Sequence, residues 1–183
     1  MDVKGARQLI EQNLSNKKIF LHMISVAAIM KALAEYLGED VEMWELAGLL
    51  HDIDYERTKD SPERHGLEAE NILKNAVSPE IMRAIKAHNF EYTGIKPETK
   101  MEKALIAADA ASGLVVAAAL VMPNKKLEEV NVRTLESKFK QKDFARSVRR
   151  ERIMFCEDLG LSREKFFEIA LNGLKRISGE LGL

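Results

Sequence analysis

The residues in this chain best suited to chemistry are its histidines and a few aspartates. The chain has only four histidines, and each stands where one metal site would use it. In order, the candidates are His22, the pair His51-Asp52, His65, His88, and then Asp109 within an alanine-rich apolar run. Imidazole and carboxylate groups together are ligands of a divalent transition metal rather than of a structural calcium ion. The sequence therefore predicts a metal site.

Taken singly, most of these residues have a simpler interpretation. On a helix, His22 shares its face with Val26 and Ile29, so a core histidine with satisfied hydrogen bonds is the favoured interpretation of that residue alone. A lone His-Asp pair is also weak support for a site. Asp109 is expected on a buried helix, where a carboxylate needs a compensating cation. That cation is either a metal or a buried Arg or Lys, and histidines on other helices favour the metal.

The elements that must position these residues are predicted to be helices. Prolines and glycines fall mostly between periodic segments, and runs of alternating β-branched residues are absent. Asp40, Ser61-Pro62, Ser78-Pro79 and Ser162 are helix-start signals. The predicted helices cover about 3–14, 18–37, 40–54, 62–75, 79–88 and 100–121, a short stretch near 134, about 142–159, and a last helix after 162. The helix at 100–121 is apolar nearly all round, so it should be the most buried.

Length and composition favour one soluble domain over residues 1–183. A net charge of −1 gives no global argument for nucleic acid or membrane binding. One cysteine excludes an internal disulfide and fits a reducing compartment. The N-terminus has the pattern of a charged helix rather than a signal peptide, and the longest apolar run, Gly113 to Met122, is shorter than the ~20 residues of a membrane span. We therefore expect a cytoplasmic protein with no membrane partner.

The pattern His22, His51-Asp52 and Asp109 resembles the HD superfamily of metal-dependent phosphohydrolases. The resemblance covers about residues 18–121 and implies an all-α, single-domain helical HD bundle, with residues 123–183 as a C-terminal helical extension. His65 and His88 resemble the subset of the family that binds two metals, with the aspartate of the doublet as the bridge.

The resemblance implies that His22, His51, Asp52 and Asp109 hold a first ion and that Asp52, His65 and His88 hold a second. The expected cofactor is one or two ions of manganese, iron, cobalt or nickel. Such ions acidify water toward a pKa of ~7 and can clamp both oxygens of a phosphoryl displacement. Asp52 is then a catalytic residue as well as a ligand.

This sequence also departs from the family. Many relatives have glycine where this chain has Asp54, for which we weigh a general acid/base or orienting role against a solvated carboxylate at a helix end. The lysine that often follows the doublet is absent, and Arg57 is the nearest cation. A Gly-Tyr-Pro motif is also lacking, so cyclic-di-GMP is not an expected substrate.

Phosphate binding also requires positive charge. Residues 35–70 hold twelve acidic and three basic residues, whereas residues 123–150 hold nine basic and four acidic ones. We expect Arg57, Lys138 and Arg146 to contact substrate phosphate, although a solvated basic surface is the simpler interpretation of each one. Aromatic residues are too few for a base-stacking surface, so nucleic acid is not favoured as a partner.

Together these features predict a metal-dependent phosphohydrolase whose substrate is a small phosphate ester, with a nucleotide favoured. Two alternatives remain: a regulatory helical module that binds metal or nucleotide without turnover, and a di-iron protein with oxygenase chemistry. The filled set of six ligand positions favours the enzyme. A homodimer is compatible with all three interpretations.

Overall fold

Apart from its turns, the chain folds into helices only. The computed structural model describes residues 1–183 and contains no strand, which confirms the all-α prediction. The α-helices in order are α1 (Val3–Asn13), α2 (Lys17–Leu37), α3 (Val41–Leu50), α4 (Tyr55–Thr58), α5 (Ala69–Leu73), α6 (Pro79–Ala87), α7 (Phe90–Thr93), α8 (Lys100–Leu120), α9 (Val132–Lys140), α10 (Arg150–Ile153), α11 (Arg163–Lys175) and α12 (Ser178–Leu181). Short 3₁₀ segments cover Pro62–Arg64, Leu127–Glu129 and Met154–Leu159.

Three of the predicted helix starts form as side-chain caps. The side chain of Asp40 accepts a hydrogen bond from the backbone N–H of Met43, three residues into α3. Ser78 and Ser162 do the same at the starts of α6 and α11. Each cap satisfies a backbone N–H that has no partner inside its helix.

Helices α2 and α8 form the centre of the fold. Most of α8 is buried, as its all-round apolar sequence predicts. Both helices are long and apolar enough to cross a membrane, and most of the most apolar part of each lies buried inside the protein. Burial within a protein core accounts for the same hydropathy.

Helix α2 has close neighbours on two sides. A Cβ atom added at Gly48 of α3 would lie 2.8 Å from the Cα of Ala27, and one added at Gly173 of α11 would lie 2.7 Å from the carbonyl oxygen of Ala28. Both glycines therefore allow their helices to approach the backbone of α2 directly. This packing fixes α2, which carries His22, against α3, which ends at His51.

The predicted helix at 62–75 is wrong. The chain forms a 3₁₀ turn at Pro62–Arg64 and enters α5 only at Ala69. Between them Gly66 has φ +84°, and a Cβ there would lie 2.9 Å from the carbonyl oxygen of Ile85. The backbone N–H groups of Gly66 and Ala69 donate to the buried carboxylate of Asp54 instead of to a helical carbonyl. A tertiary interaction therefore breaks the helix.

The predicted helix at 142–159 is also wrong. Residues 141–149 form turns, and only α10 and a 3₁₀ segment follow. The guanidinium group of Arg150 donates to six backbone carbonyls, namely those of Lys138, Phe139, Gln141, Phe144, Ala145 and Val148. Three of these carbonyls, those of Lys138, Gln141 and Ala145, also accept a backbone N–H three residues later, so the arginine binds a series of turns rather than a continuous helix.

The C-terminal helices pack directly on the metal-binding part of the chain. Helix α11 lies against α2, and α10 and the 3₁₀ segment after it lie against α8. One cluster of 48 buried residues runs from Ala6 to Leu183. The core is therefore continuous between the region around the histidines and the C-terminal helices.

We predict that Gly48→Ala destabilises the protein. The added methyl group would overlap the backbone of Ala27, and overpacking of this kind costs about 1–3 kcal/mol. Chemical denaturation followed by circular dichroism measures the change in the free energy of unfolding.

Gly179→Ala is the matched control, because no atom lies within 4 Å of its added Cβ. Its expected effect is a gain of at most about 1 kcal/mol, from helix propensity. Equal stability of the two variants would contradict the close approach of α3 to α2.

Candidate metal centre

The four histidines reach one place from four separate elements. His22 lies in the second turn of α2, whereas His51 and His88 immediately follow the last residues of α3 and α6. His65 lies in the break between the 3₁₀ turn and α5. Asp109 projects from the middle of α8. The bend after α3 lets the adjacent residues His51 and Asp52 point into the same space.

Two histidines are held by the ends of their own helices. His51 Nδ1 lies 2.8 Å from the carbonyl oxygen of Gly48, and His88 Nδ1 contacts that of Ile85. The last carbonyls of a helix have no partner within it, so they are available to accept these hydrogen bonds. A carbonyl can only accept, so Nδ1 carries the proton in each ring. Nε2 is left with a lone pair.

The other two histidines are oriented by side chains. His65 Nδ1 donates to Asp54 Oδ1 at 2.9 Å. His22 Nδ1 lies 3.1 Å from Ser112 Oγ, whose own proton is donated to the carbonyl of Asp109. Ser112 therefore accepts from His22, and Nε2 of His22 also presents a lone pair. All four rings have the tautomer that metal ligation through Nε2 needs.

The four Nε2 atoms converge around the carboxylate of Asp52. Those of His22 and His51 are 3.3 Å apart, and those of His65 and His88 are 3.0 Å apart. Asp52 Oδ2 lies 3.6 Å from His22 Nε2, and Oδ1 lies 3.1 Å from His65 Nε2. Asp52 thus stands between two histidine pairs.

The ligand atoms form two groups that share Asp52. One contains His22, His51 and Asp52, and the other contains Asp52, His65 and His88, with the atoms of each group within 4.8 Å of one another. Asp109 Oδ1 adds a carboxylate oxygen 3.1 Å from His22 Nε2. Lone pairs aimed at one another repel unless a cation lies between them. Both groups therefore fit a divalent metal ion.

Protons occupy part of this set when no metal does. Burial disfavours a charged imidazole, yet hydrogen bonds to Asp52 and Asp54 raise the pKa of His65 to about 10. Complete burial lowers the pKa of His51 to about 4. Burial also disfavours the charged form of Asp52, but His51 and the hydrogen bonds from neighbouring histidines hold its pKa well below the usual value. A metal ion must therefore displace a proton from His65.

Asp109 contacts an arginine as well as His22. Arg152 Nη1 donates to Asp109 Oδ2 at 3.2 Å, while Arg152 Nε and Nη2 hold both carboxylate oxygens of Glu91. An arginine, one of the cations considered above for Asp109, thus binds one oxygen of this carboxylate. The histidines lie near the other oxygen. Asp109 is also less buried than expected, with 20% of its side chain exposed.

Asp54 is not a solvated carboxylate. Its residue is 0% exposed, and it accepts from His65, Gly66 and Ala69. It does not line the cavity over the histidines. These contacts give Asp54 a positioning role behind His65 and do not favour direct proton transfer to a substrate.

None of the three expected phosphate contacts lines a cavity around the histidines. Arg57 is exposed and donates to Asn13 Oδ1 at 2.7 Å. Lys138 lies over the ring of Phe144, and Arg146 pairs with Asp143. Distance along the chain was a poor guide, because the guanidinium group at the centre comes from Arg152, about 100 residues from the doublet.

Sequence reasoning missed four residues of the site. Arg152 and Glu91 lay in charged stretches with no distinguishing signal. Asn89 follows His88 directly, and its side-chain amide donates to the carbonyls of Pro62 and His65, which ties the end of α6 to the His65 turn. Ser112, three residues after Asp109, was the most accessible signal, because that spacing places it on the same face of α8.

Three cavities share His22 in their walls. One of about 320 Å³ lies over the cluster, with Asp52, His65, His88 and Arg152 in its wall. A second of about 500 Å³ runs from His22 past the apolar side chains of Leu21, Val116 and Leu120. A third of about 420 Å³ lies between Asp109 and the segment 147–152. The volumes of all three are in the range of small-molecule sites.

Comparison with known families agrees with this geometry. The HD domain profile matches residues 19–120, more than half of the chain. The chain belongs to the HD domain family. This confirms the resemblance inferred from the ligand pattern, and the family is consistent with a metal-dependent phosphohydrolase. The matched region ends at the last residue of α8, before the segment that carries Arg152.

Two relatives match about half of this chain. A protein named Ribonuclease Y from Geobacter metallireducens is 33% identical over 99 residues, which is 54% of this chain and 18% of the relative. One of the same name from Lawsonia intracellularis is 35% identical over 98 residues, 53% of this chain and 18% of the relative. The chain thus spans less than a fifth of either relative. From the sequence we expect that nucleic acid is not a partner. The names of these two relatives do not support that expectation. No solved structure matches this chain.

We predict that chelation lowers the melting temperature. Ligands from five parts of the chain meet at one centre, so a bound ion ties those parts together in the folded state only. At 100 times its Kd, an ion adds about 2.7 kcal/mol of stability. Scanning calorimetry of manganese-loaded protein with and without EDTA measures the shift. In Asp52→Ala the shift should vanish, whereas the exposed Asp60→Ala should keep it; an identical shift in both variants would refute the site.

A second prediction concerns Asp54, which fixes the ring of His65. Asp54→Asn should weaken the His65–His88 group for manganese by about 10–100-fold, the usual cost of losing a partner behind a ligand. Binding to the His22–His51 group should persist, which also reports that the variant is folded. Titration calorimetry resolves the two affinities, and Asp60→Asn serves as the control. An unchanged affinity at both groups would count against this role.

Proposed function

We propose that the protein is a metal-dependent phosphohydrolase that cleaves a small phosphate ester, with a nucleotide favoured. The observation that carries this proposal is the sharing of Asp52 by two groups of histidines. A carboxylate between two ligand sets is suited to a pair of cations, which is the arrangement of many phosphatases and nucleases.

The proposed first site uses His22, His51, Asp52 and Asp109, and the second uses Asp52, His65 and His88. The mixture of imidazole and carboxylate suits manganese, iron, cobalt or nickel. When bound, such ions supply Lewis-acid charge at the phosphoryl oxygens and acidify water toward a pKa of ~7. In the hydrolysis itself, a water oxygen bonds to phosphorus, the phosphorus–oxygen ester bond breaks, and the alcohol leaves with a proton.

The other residues of the centre orient the ligands and balance charge. Asp54 and Ser112 hold two histidine rings through Nδ1. Arg152 fixes one oxygen of Asp109 and lies in the wall of the cavity over the histidines. There a fixed guanidinium group is suited to stabilise negative charge that grows on a phosphoryl oxygen.

The shape of the surroundings supports a small organic phosphate. The apolar cavity beside His22 offers space for the uncharged part of an ester, such as a base or another ring. Its apolar lining favours burial of that part, while the phosphate remains at the polar centre.

A second candidate is hydrolysis of a phosphodiester in RNA. It is favoured by the two relatives named Ribonuclease Y, whose similarity covers about half of this chain. Because the chain spans so little of those proteins, the similarity supports the chemistry of the centre more than the choice of substrate.

The decisive experiment combines a substrate panel with isotope labelling. Manganese-loaded protein should hydrolyse at least one of p-nitrophenyl phosphate, the common nucleotides or a short RNA. In single turnover in ¹⁸O-water, the phosphate-bearing product should gain one solvent oxygen, because water bonds to phosphorus and the phosphorus–oxygen bond breaks. Mass spectrometry measures the label.

Loss of turnover by about 10²-fold or more is expected in Asp52→Asn, the scale for removing a group that organises transition-state charge. Metal binding without turnover of any ester would favour a regulatory module. Consumption of oxygen by iron-loaded protein would favour oxygenase chemistry instead.

A further inference from the structure

The cavity of about 420 Å³ beside the centre has two walls of different origin. One wall contains His22, Asp109 and Gly113 of the matched family region. The other contains Ser147, Arg149 and Arg152, which lie outside it. The cavity is therefore continuous with the proposed metal site but owes its chemistry to the C-terminal extension.

Hydrogen-bond donors with spare capacity line the cavity. Arg149 donates from Nη1 alone, to Glu91 at 2.9 Å, so its Nε and Nη2 remain for a ligand. The hydroxyl groups of Ser147 and Tyr92 make no hydrogen bond within the protein. Glu91 holds Arg149 and Arg152 side by side. Glu91 and Asp109 balance the charge of the two arginines, so the cavity offers a ligand the free donors of Arg149, Ser147 and Tyr92.

The loop that carries Arg149 is firmly built. Arg150 binds six carbonyls between residues 138 and 148, which fixes the backbone on the N-terminal side of Arg149. On the C-terminal side, Arg152 is held by Glu91 and Asp109. A donor on a fixed backbone loses less entropy when it binds than one on a free loop.

We propose that this cavity binds a second phosphate group of the substrate, next to the phosphate that reacts at the histidines. This inference rests on the proposed function. Adjacent guanidinium groups with hydroxyl donors match the oxygens of a phosphate, and they offer nothing to an apolar group. The substrate is therefore an ester with at least two phosphates, either a small bisphosphate or a phosphodiester chain.

Binding of hydrolysis-resistant probes tests the inference without relying on turnover. One probe is adenosine with a single 5′-phosphonate, and the other carries phosphonates at both the 5′ and 3′ positions. Titration calorimetry on manganese-loaded protein should show tighter binding of the second probe by about tenfold or more, the value of a hydrogen bond to a charged group. Arg149→Gln should abolish this difference and leave the single-phosphonate probe unaffected.

The matched control is Arg176→Gln. Arg176, like Arg149, is an exposed arginine that pairs with one glutamate, but it does not line this cavity and pairs with Glu35. It should preserve the preference for two phosphonates. Arg150 does not line the cavity, but it fixes the backbone that carries Arg149. Arg150→Lys should therefore reduce the preference for two phosphonates, because one ammonium group cannot bind six carbonyls.

The two sources of the second phosphate are separated by a third probe, a 2′-O-methyl uridine tetranucleotide. If Arg149→Gln weakens binding of this tetranucleotide more than binding of the adenosine probe with two phosphonates, the second phosphate belongs to a phosphodiester chain. The reverse result indicates a small bisphosphate. Equal affinity of the two adenosine probes for wild-type protein, with monoester hydrolysis intact, would overturn this inference alone. No binding of any probe, together with no hydrolysis of any ester, would overturn the proposed function as well.

Discussion

The structure of the centre depends on where the Nδ1 protons of the four histidines go. Each Nδ1 meets an acceptor: two helix-end carbonyls, the carboxylate of Asp54, and a serine hydroxyl whose own proton is committed elsewhere. When the rings are neutral, four Nε2 lone pairs then face inward around Asp52. That convergence is unfavourable without a cation, so the same hydrogen bonds that define the geometry also create the demand for charge. The fold sets the positions of the acceptors, and the acceptors determine that Nε2 of each histidine is the atom available to a metal.

The positions of the acceptors explain why the local structure departs from regular helix where it does. Asp54 can hold His65 only if the chain turns back toward it. The helix expected over 62–75 therefore gives way to a turn in which Gly66 and Ala69 also donate to the same carboxylate. The segment before Arg150 behaves in a similar way, since carbonyls between residues 138 and 148 accept from one guanidinium group and the chain there forms turns. In both places hydrogen bonds to one polar side chain outweigh the local preference for helix.

This distinction separates what the sequence could predict from what it could not. Helices α1, α2, α3, α6, α8 and α11 were predictable because caps and apolar periodicity are local, and the six candidate ligands were predictable because histidine is rare here. The breaks at Gly66 and before Arg150 depend on partners that are distant in sequence or that offer only backbone atoms. The same limit led to Arg57, six residues from His51, being preferred over Arg152, which reaches Asp109 only through the packing of α10 on α8.

The matched family region and the C-terminal extension contribute different charges to the centre. The region up to residue 120 contributes Asp52 and Asp109 to the cluster, and the histidines there add positive charge only by holding protons that a metal must displace. The fixed positive charge at the rim, Arg149 and Arg152, comes from residues beyond it. A cation close to a metal ligand is tolerated because Glu91 neutralises it in part, and it stays in place because Glu91 binds it through both oxygens. Residues after α8 can therefore change which phosphates are accepted while every proposed ligand stays in place. Relatives with the same histidine pattern and a different C-terminal segment should share the chemistry of the centre and differ in substrate.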